Sequence, residues 1–402
     1  MTYFDPAAAF SEEHRHSIPI DLRMYEKHNS LVEIRHHASL AGVRARVESV
    51  LAKLVELDLT DYAKMILRDA CEELLGCTSA HGGHLPFNLQ TYVIEEMNRL
   101  ADAELPRYLF YRYRYDTFPQ RRRLDRYPPC IQIEPTSTCN YRCVFCYQID
   151  DDFTRKNSGH MGFMSLDTFR RIVDQAVGHC EAVTLASRGE PLICPRIEEM
   201  LRYAGEGKFL ALKINTNAWF LSEAKSHAIL QADVNTVVFS ADAASEPQYS
   251  QLRVGGNLRR VVENIKQFRD IREKHYPRSR TITRISGVRV PGTPDLDEME
   301  EFWGDLVDQV AFVRYNPWEN TYERPVNDIA APCSDLWRRM FIWWDGTVNP
   351  CDVDYKSTLA VGNAMRQGLD DLWLSDAYME LRNRHSDGQR SNCSPCNRCT
   401  VV

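Results

Sequence analysis

From residue 126 onward the apolar positions follow two alternating periods. Short runs rich in β-branched and apolar residues, "CIQIE" (130–134), "AVTLA" (182–186), "FLALKIN" (209–215), "TVVFSA" (236–241), "TRISGVRV" (283–290) and "VAFVRY" (310–315), predict strands. Between them, "SLDTFRRIVDQAVGH", "RIEEMLRYAGEG", "SEAKSHAILQA", "LRRVVENIKQFRDIREKH" and "DLDEMEEFWGDLV" space their apolar residues for one face of a helix. Strand alternating with helix predicts a parallel sheet joined by right-handed crossovers. Six strands are too few for a closed eight-stranded barrel, so the expected fold is α/β, a partial (β/α)6 TIM-like barrel over residues 126–320. Residues 1–125 lack this rhythm. There "LAGVRARVESVLAKLVELDLTDYAKMILRDACEELLG" (40–76) and "LQTYVIEEMNRLADAELPRYLFYRYRYDTF" (89–118) predict a helical N-terminal region. The tyrosines and arginines at 108–114 read as a packing face. Residues 321–402 form a small third region.

Composition narrows the class. The chain has 402 residues, 44% of them hydrophobic and 26% charged, and a formal net charge of −7. That balance gives no reason to expect nucleic acid or an anionic membrane as partner, and "RRRLDR" (121–126) reads as a solvated surface. No apolar run reaches the length of a membrane span and the first residues show no signal pattern, so a cytoplasmic protein is expected. In a reducing compartment thirteen cysteines point to metal or redox chemistry rather than to disulfides.

The cysteines are unevenly placed. Cys71, Cys77, Cys130, Cys180 and Cys194 are scattered and read as small buried hydrophobes. The other eight form two groups: Cys139, Cys143 and Cys146 within "PTSTCNYRCVFCYQID" (135–150), and Cys333, Cys351, Cys393, Cys396 and Cys399 near the end. Two metal centres are expected. Three thiolates on a short loop can hold three corners of a cubane iron-sulfur cluster, leaving one iron open, whereas structural zinc takes four closed ligands. The loop also follows the first strand of the alternating region, where barrel chemistry sits.

The pattern Cys-x-x-x-Cys-x-aromatic-Cys, with Phe145 before the last cysteine and Glu134 ahead of the loop, resembles that of the radical S-adenosylmethionine (SAM) superfamily. Further stretches between about 128 and 320 support the resemblance. "SRGEPLI" (187–193) is similar to the family's glycine-glutamate-proline motif, with Gly189 and Glu190 matching and Arg188 replacing the more usual glycine. "INTNA" (214–218) and "FSADA" (239–243) resemble its ribose-binding segments, which assigns Asn215, Asn217 and Ser240 to SAM. Arg284 is the expected partner of the SAM carboxylate. The resemblance implies a 4Fe-4S cluster on Cys139, Cys143 and Cys146 that binds SAM and cleaves it to a 5′-deoxyadenosyl radical. It also implies an electron donor such as flavodoxin or ferredoxin.

The C-terminal region resembles the SPASM and shortened twitch extensions of the same superfamily. "WDGTV" predicts a hairpin with aspartate-glycine at its turn, bringing Cys333 and Cys351 together. Five cysteines suit one auxiliary 4Fe-4S cluster, with four as ligands and a fifth over; spacing alone leaves zinc open. In the family this arrangement implies oxidation or epimerisation of carbohydrate-like molecules and aminocyclitols, or maturation of peptides. A small sugar-like substrate is the expectation, with a peptide as the alternative and a non-catalytic electron carrier as the reading from another class. Cys194, shortly after Glu190, is the candidate hydrogen donor for an epimerase. Asp352, Asp354, Glu319 and Arg314 are candidates for the proton transfer that a dehydrogenase needs.

Overall fold

The computed structural model describes residues 24–25, 31–36, 42–77 and 84–402. Its main sheet contains ten strands: β1 (Leu31–His36), β2 (Cys130–Ile133), β4 (Ala182–Leu185), β5 (Ala211–Thr216), β6 (Thr236–Ser240), β8 (Ile282–Arg289), β9 (Gln309–Arg314), β10 (Arg339–Ile342), β11 (Thr347–Asn349) and β12 (Gly362–Asn363). Two short strands, β3 (Arg142–Cys143) and β7 (Arg253–Val254), pair apart from it. The order is β1-β9-β8-β6-β5-β4-β2-β10-β11-β12. The six expected strands are β2, β4, β5, β6, β8 and β9, all parallel and each beside its neighbour in sequence. This is the partial TIM-like barrel.

Side-chain alternation divides the sheet into two faces. Ile131, Ile133, Val183, Leu185, Ile214 and Val237 enter the main apolar core together with the helices. Four of those helices start at side-chain caps: Ser165, Ser222, Asn257 and Asp295 each accept a backbone N–H of the first turn. Residues of the opposite parity face the barrel interior, and many are polar. Gln132 is paired across the sheet with Phe341, and Arg339 donates to Gln132 Oε1 at 2.9 Å.

The N-terminal region differs from the expectation in two ways. It contains a strand, β1, which lies antiparallel on β9 and extends the sheet. Each long helical stretch is also broken in two, giving α1 (Val43–Ala52), α2 (Asp61–Leu75), α3 (Thr91–Asn98) and α4 (Leu105–Arg121). Thr60 caps α2 by accepting from Ala63 N, and Pro106 sits in the first turn of α4, where its missing N–H costs nothing. Tyr108, Tyr111, Arg112, Tyr113 and Arg114 are buried, as a packing face requires.

These helices plug the barrel. Glu96 of α3 is fully buried, takes an ion pair from Lys213 of β5 at 2.6 Å and accepts from Tyr108 OH. Gln309 of β9 donates to Glu95 and accepts from Arg284 of β8 at 2.6 Å. The opposite, carboxyl-terminal end of the strands is left for chemistry.

The C-terminal region joins the barrel through its sheet. The hairpin β10–β11 turns at Asp345 and Gly346, whose φ of 83° suits glycine, and β10 lies parallel against β2. The last residues return to the N-terminal side: Tyr25 N–H donates to Thr400 O at 2.8 Å and Val402 N–H to Tyr25 O at 2.9 Å. Among the described residues no helix is long and apolar enough to cross a membrane.

Candidate active site

The loop after β2 is held on all sides by backbone. Ser137 N–H and Thr136 Oγ1 both donate to Gly162 O, and Gly162 N–H donates back to Ser137 Oγ at 2.8 Å. Gln148 Nε2 donates to Ser137 O and Arg188 O, and β3 pairs with β7 across Cys143 and Arg253. Thus the cysteine triplet is fixed by groups that are not themselves ligands.

Cys139, Cys143 and Cys146 line one cavity of about 360 Å³ at the carboxyl end of the strands. Burial, then Cys143 and Glu190, push the Cys139 thiol up to about 12. Burial and the neighbouring thiols raise Cys146 as well, while burial raises Cys143 against the opposing charge of Arg253. Three thiols that hinder one another's ionisation suit a site completed by positive metal charge. Among the described residues no three His, Cys, Asp or Glu side chains surround a single point as one ion requires. A cubane takes each thiolate at a separate iron, so number, sulfur chemistry and a shared wall are what fit here.

The expected SAM residues divide. Phe145, Gly189, Glu190, Asn215, Asn217 and Ser240 all line this cavity. The Glu190 carboxylate accepts from Thr216 Oγ1 at 2.6 Å, Asn217 N–H at 2.7 Å and Leu192 N–H at 3.0 Å, so it also organises the next loop. Burial nevertheless raises its pKa. Asn217 Nδ2 donates to Asn140 Oδ1 in the cysteine loop. Gly189 serves a close approach to protein: a Cβ there would lie 2.4 Å from Thr136 O and 2.5 Å from Thr138 O. Its neighbour Glu190 donates its N–H to Thr138 O.

Two expectations need correction. Arg284 shares the inward parity of Ser286 and Val288, which line the cavity, but sits lower in the barrel. Gln309 and the ring of Tyr92 hold it against the N-terminal plug, away from the site. Cys194 is 1% exposed, packed in the main core with Leu192 and Ile197, and does not line the cavity. The short turn at Pro191–Ile193 carries it beneath the loop. The described residues include all thirteen cysteines, each a free thiol, and the cavity has no thiol beyond the triplet.

Several residues went unnoticed in the sequence. Arg253 Nη1 lies 3.8 Å from Cys143 Sγ and its Nε is 2.5 Å from Asp242 Oδ2. Gln132, Arg339, Tyr315 and Asn316 line the cavity beside Asp352. The inward parity of Gln132 and Arg339 could have marked them, whereas nothing in the sequence marks Arg253. Arg188, which departs from the family pattern, grips buried Glu134 through Nε and Nη2 at 2.7 Å each. It also donates to Tyr355 O and lies 4.2 Å from the Trp343 ring, tying the loop to the C-terminal region.

In that region Cys333, Cys351, Cys396 and Cys399 act on one another. After burial and Asp354, the groups raising Cys351 are Cys396, Cys333 and Cys399; after burial, those raising Cys396 are Cys333, Cys399 and, last, Cys393, with Arg390 opposing them. Cys393 acts on Cys396 last of the three and is absent from the groups acting on Cys351, and its Sγ lies 3.9 Å from Gln389 O. The first four thiols are the set that could hold a second cluster, with Cys393 the fifth. Arg390 braces them by donating to Cys396 O, Cys399 O and Ala331 O. Of the proton-transfer candidates, Asp352 and Arg314 line the cavity. Asp354 accepts from Tyr322, Thr358 and Leu359, and Glu319 accepts from Tyr315 OH.

Comparison with known proteins agrees with this geometry. The model of the radical SAM superfamily matches residues 133–297, and that of the SPASM iron-sulfur cluster-binding domain matches residues 333–400. Together they cover more than half of the chain. A GTP 3′,8-cyclase of Listeria monocytogenes is 25% identical over 216 residues, 51% of this chain and 61% of its own. The chain thus spans about three-fifths or less of the length of the first such relatives. Among solved structures, Streptococcus suis SuiB bound to precursor peptide SuiA gives a TM-score of 0.51 at 15% identity, covering 86% of this chain and 87% of SuiB. BtrN in complex with AdoMet and 2-DOIA gives 0.48 at 18%, covering 69% and 95%. Radical SAM barrel, cysteine triplet and C-terminal cluster-binding domain together make this chain a member of the radical SAM superfamily with a SPASM-type extension.

Proposed function

We propose that this enzyme oxidises a carbon bearing a hydroxyl or amino group in a sugar-like or aminocyclitol small molecule. When bound, SAM and its cluster supply a 5′-deoxyadenosyl radical that takes a hydrogen atom, and the auxiliary cluster supplies an electron acceptor. The remaining work falls to side chains. Cys139, Cys143 and Cys146 hold the first cluster, with Gly189, Glu190, Asn215, Asn217 and Ser240 forming the SAM cradle around it.

The observation that carries the reading is the cavity wall beyond that cradle. Gln132, Asn316, Arg339, Tyr315 and Asp352 offer donors and acceptors there, and Asn316 Nδ2 is buried without a hydrogen-bond partner among the described residues. Such a wall matches several hydroxyl or amino groups and rewards a substrate that satisfies them. Asp352, 6% exposed and lining the cavity, is the base that takes the hydroxyl proton as the carbon is oxidised. The lack of a further thiol on that wall favours oxidation over epimerisation.

The test uses the anaerobically reconstituted enzyme with SAM, a reductant and a panel of carbon-deuterated aminocyclitols and glycosides. Deuterium should enter 5′-deoxyadenosine and the product should lose two hydrogens, with Asp352→Asn lowering turnover by about 10²–10⁴-fold. An isomeric product in which the substrate deuterium has been replaced by solvent hydrogen would make it an epimerase. Turnover confined to peptides would replace the substrate class.

A further inference from the structure

Each cysteine group has buried arginine beside it, and the partners differ. Arg390 at the C-terminal set is bonded to backbone carbonyls. Arg324 lies on the segment that packs on the loop 396–399, its carbonyl accepting from Arg398 and nearby Asn327 donating to Cys399 O. At the triplet, Arg253 lies beside Cys143 and is ion-paired with Asp242, a fully buried carboxylate that also accepts from Val288 N–H at 2.6 Å. The guanidinium charge is therefore offset on the spot. At the C-terminal set, Arg324 is 1% exposed, and none of its three guanidinium nitrogens has a hydrogen-bond partner among the described residues.

Burial lowers the Arg324 pKa, opposed first by Cys399 and then by Glu319, Tyr315 and Tyr355. Among the described residues Glu319 forms no ion pair with it: one carboxylate oxygen accepts from Tyr315 OH, the other has no hydrogen-bond partner, and burial favours the neutral acid. Asp335 pairs with Arg338 at 3.1 Å, and Asp354 takes its bonds from Tyr322, Thr358 and Leu359.

A guanidinium keeps its proton even when buried, and burying it without counter-charge is costly. Something negative therefore belongs beside Arg324 in the working protein. A cubane held by four thiolates is negative, and more so after gaining an electron. We propose that Arg324 is the counter-charge of the auxiliary cluster and raises its reduction potential, a charge left uncancelled here whereas Asp242 cancels Arg253 at the triplet. This rests on residues 333–400 holding a cluster.

The test is an EPR-monitored redox titration of the full chain, reconstituted anaerobically, with Cys139, Cys143 and Cys146 changed to alanine so that only the auxiliary cluster reports. Arg324→Met should keep its iron while the reduced-to-oxidised ratio at a fixed potential falls at least tenfold, about 59 mV for one electron. Arg324→Lys, which keeps the charge, should recover most of that shift. An intact cluster with an unshifted midpoint in Arg324→Met overturns the proposal, and so does an equal fall in Arg324→Lys. If Arg324→Met loses the iron, retention by Arg324→Lys supports the charge and loss from both overturns it. A parent protein without auxiliary iron would instead overturn the cluster assignment itself.

Discussion

Glu134 has no exposure, and Arg188 is what makes its ionised form tolerable there. The family pattern has glycine at 188, so Arg188→Gly looks harmless from the motif alone. The structure argues the reverse, because removing one partner strands a buried charge at a cost of about 3–5 kcal/mol. Arg188→Gly should lower the thermal midpoint strongly, and adding Glu134→Gln should recover much of it. An unchanged midpoint in the single variant would show that the pair is dispensable. Sequence alone identified Arg188 as a departure but could not show that its side chain reaches back to the end of β2. The same blindness explains Arg284 and Cys194. Parity puts Arg284 inside the barrel without giving its height, and distance along the chain does not say which way a turn carries Cys194.

At the scale of elements, the six parallel strands were legible because burial makes them near-continuous apolar runs. The strand β1 was not, since "LVEIRH" lies in a charged stretch and gains its meaning only by pairing with β9. The contact between α3 and β5 carries a pH dependence. Burial alone would raise the Glu96 carboxyl, but Lys213, Arg112 and Tyr108 outweigh it and hold the group below its ordinary range. A depressed carboxylate adds stability above its unfolded value, about 4.3, and loses it as pH falls through the folded value. Lys213→Met should therefore cost most at pH 7, on the order of 3–5 kcal/mol, with the gap from the parent closing only as pH falls through the depressed Glu96 value. A series of melts of the two proteins from pH 7 downward through that transition checks this; a gap that never narrows assigns the loss to packing.

For the whole molecule, the two cysteine groups predict composition. The reconstituted chain should hold about eight irons, falling to about four when Cys139, Cys143 and Cys146 become alanine. Cys393→Ala should keep about eight, whereas Cys351→Ala should lose about four. Loss with Cys393→Ala would redraw the auxiliary set. Which thiol stands aside was hidden in the sequence, because "CSPCNRC" offers three equivalent choices until Arg390 and the β10–β11 hairpin fix their positions. The same hairpin limits how such enzymes can be recombined. Since β10 is hydrogen-bonded to β2, the extension is a continuation of the barrel wall, and Arg339 faces inward only in the register that sets it opposite Cys130. A chimera that exchanged residues 333–400 for another extension with β10 slipped by one residue would turn Arg339 outward and aim Met340 at the substrate, even with every cysteine in place.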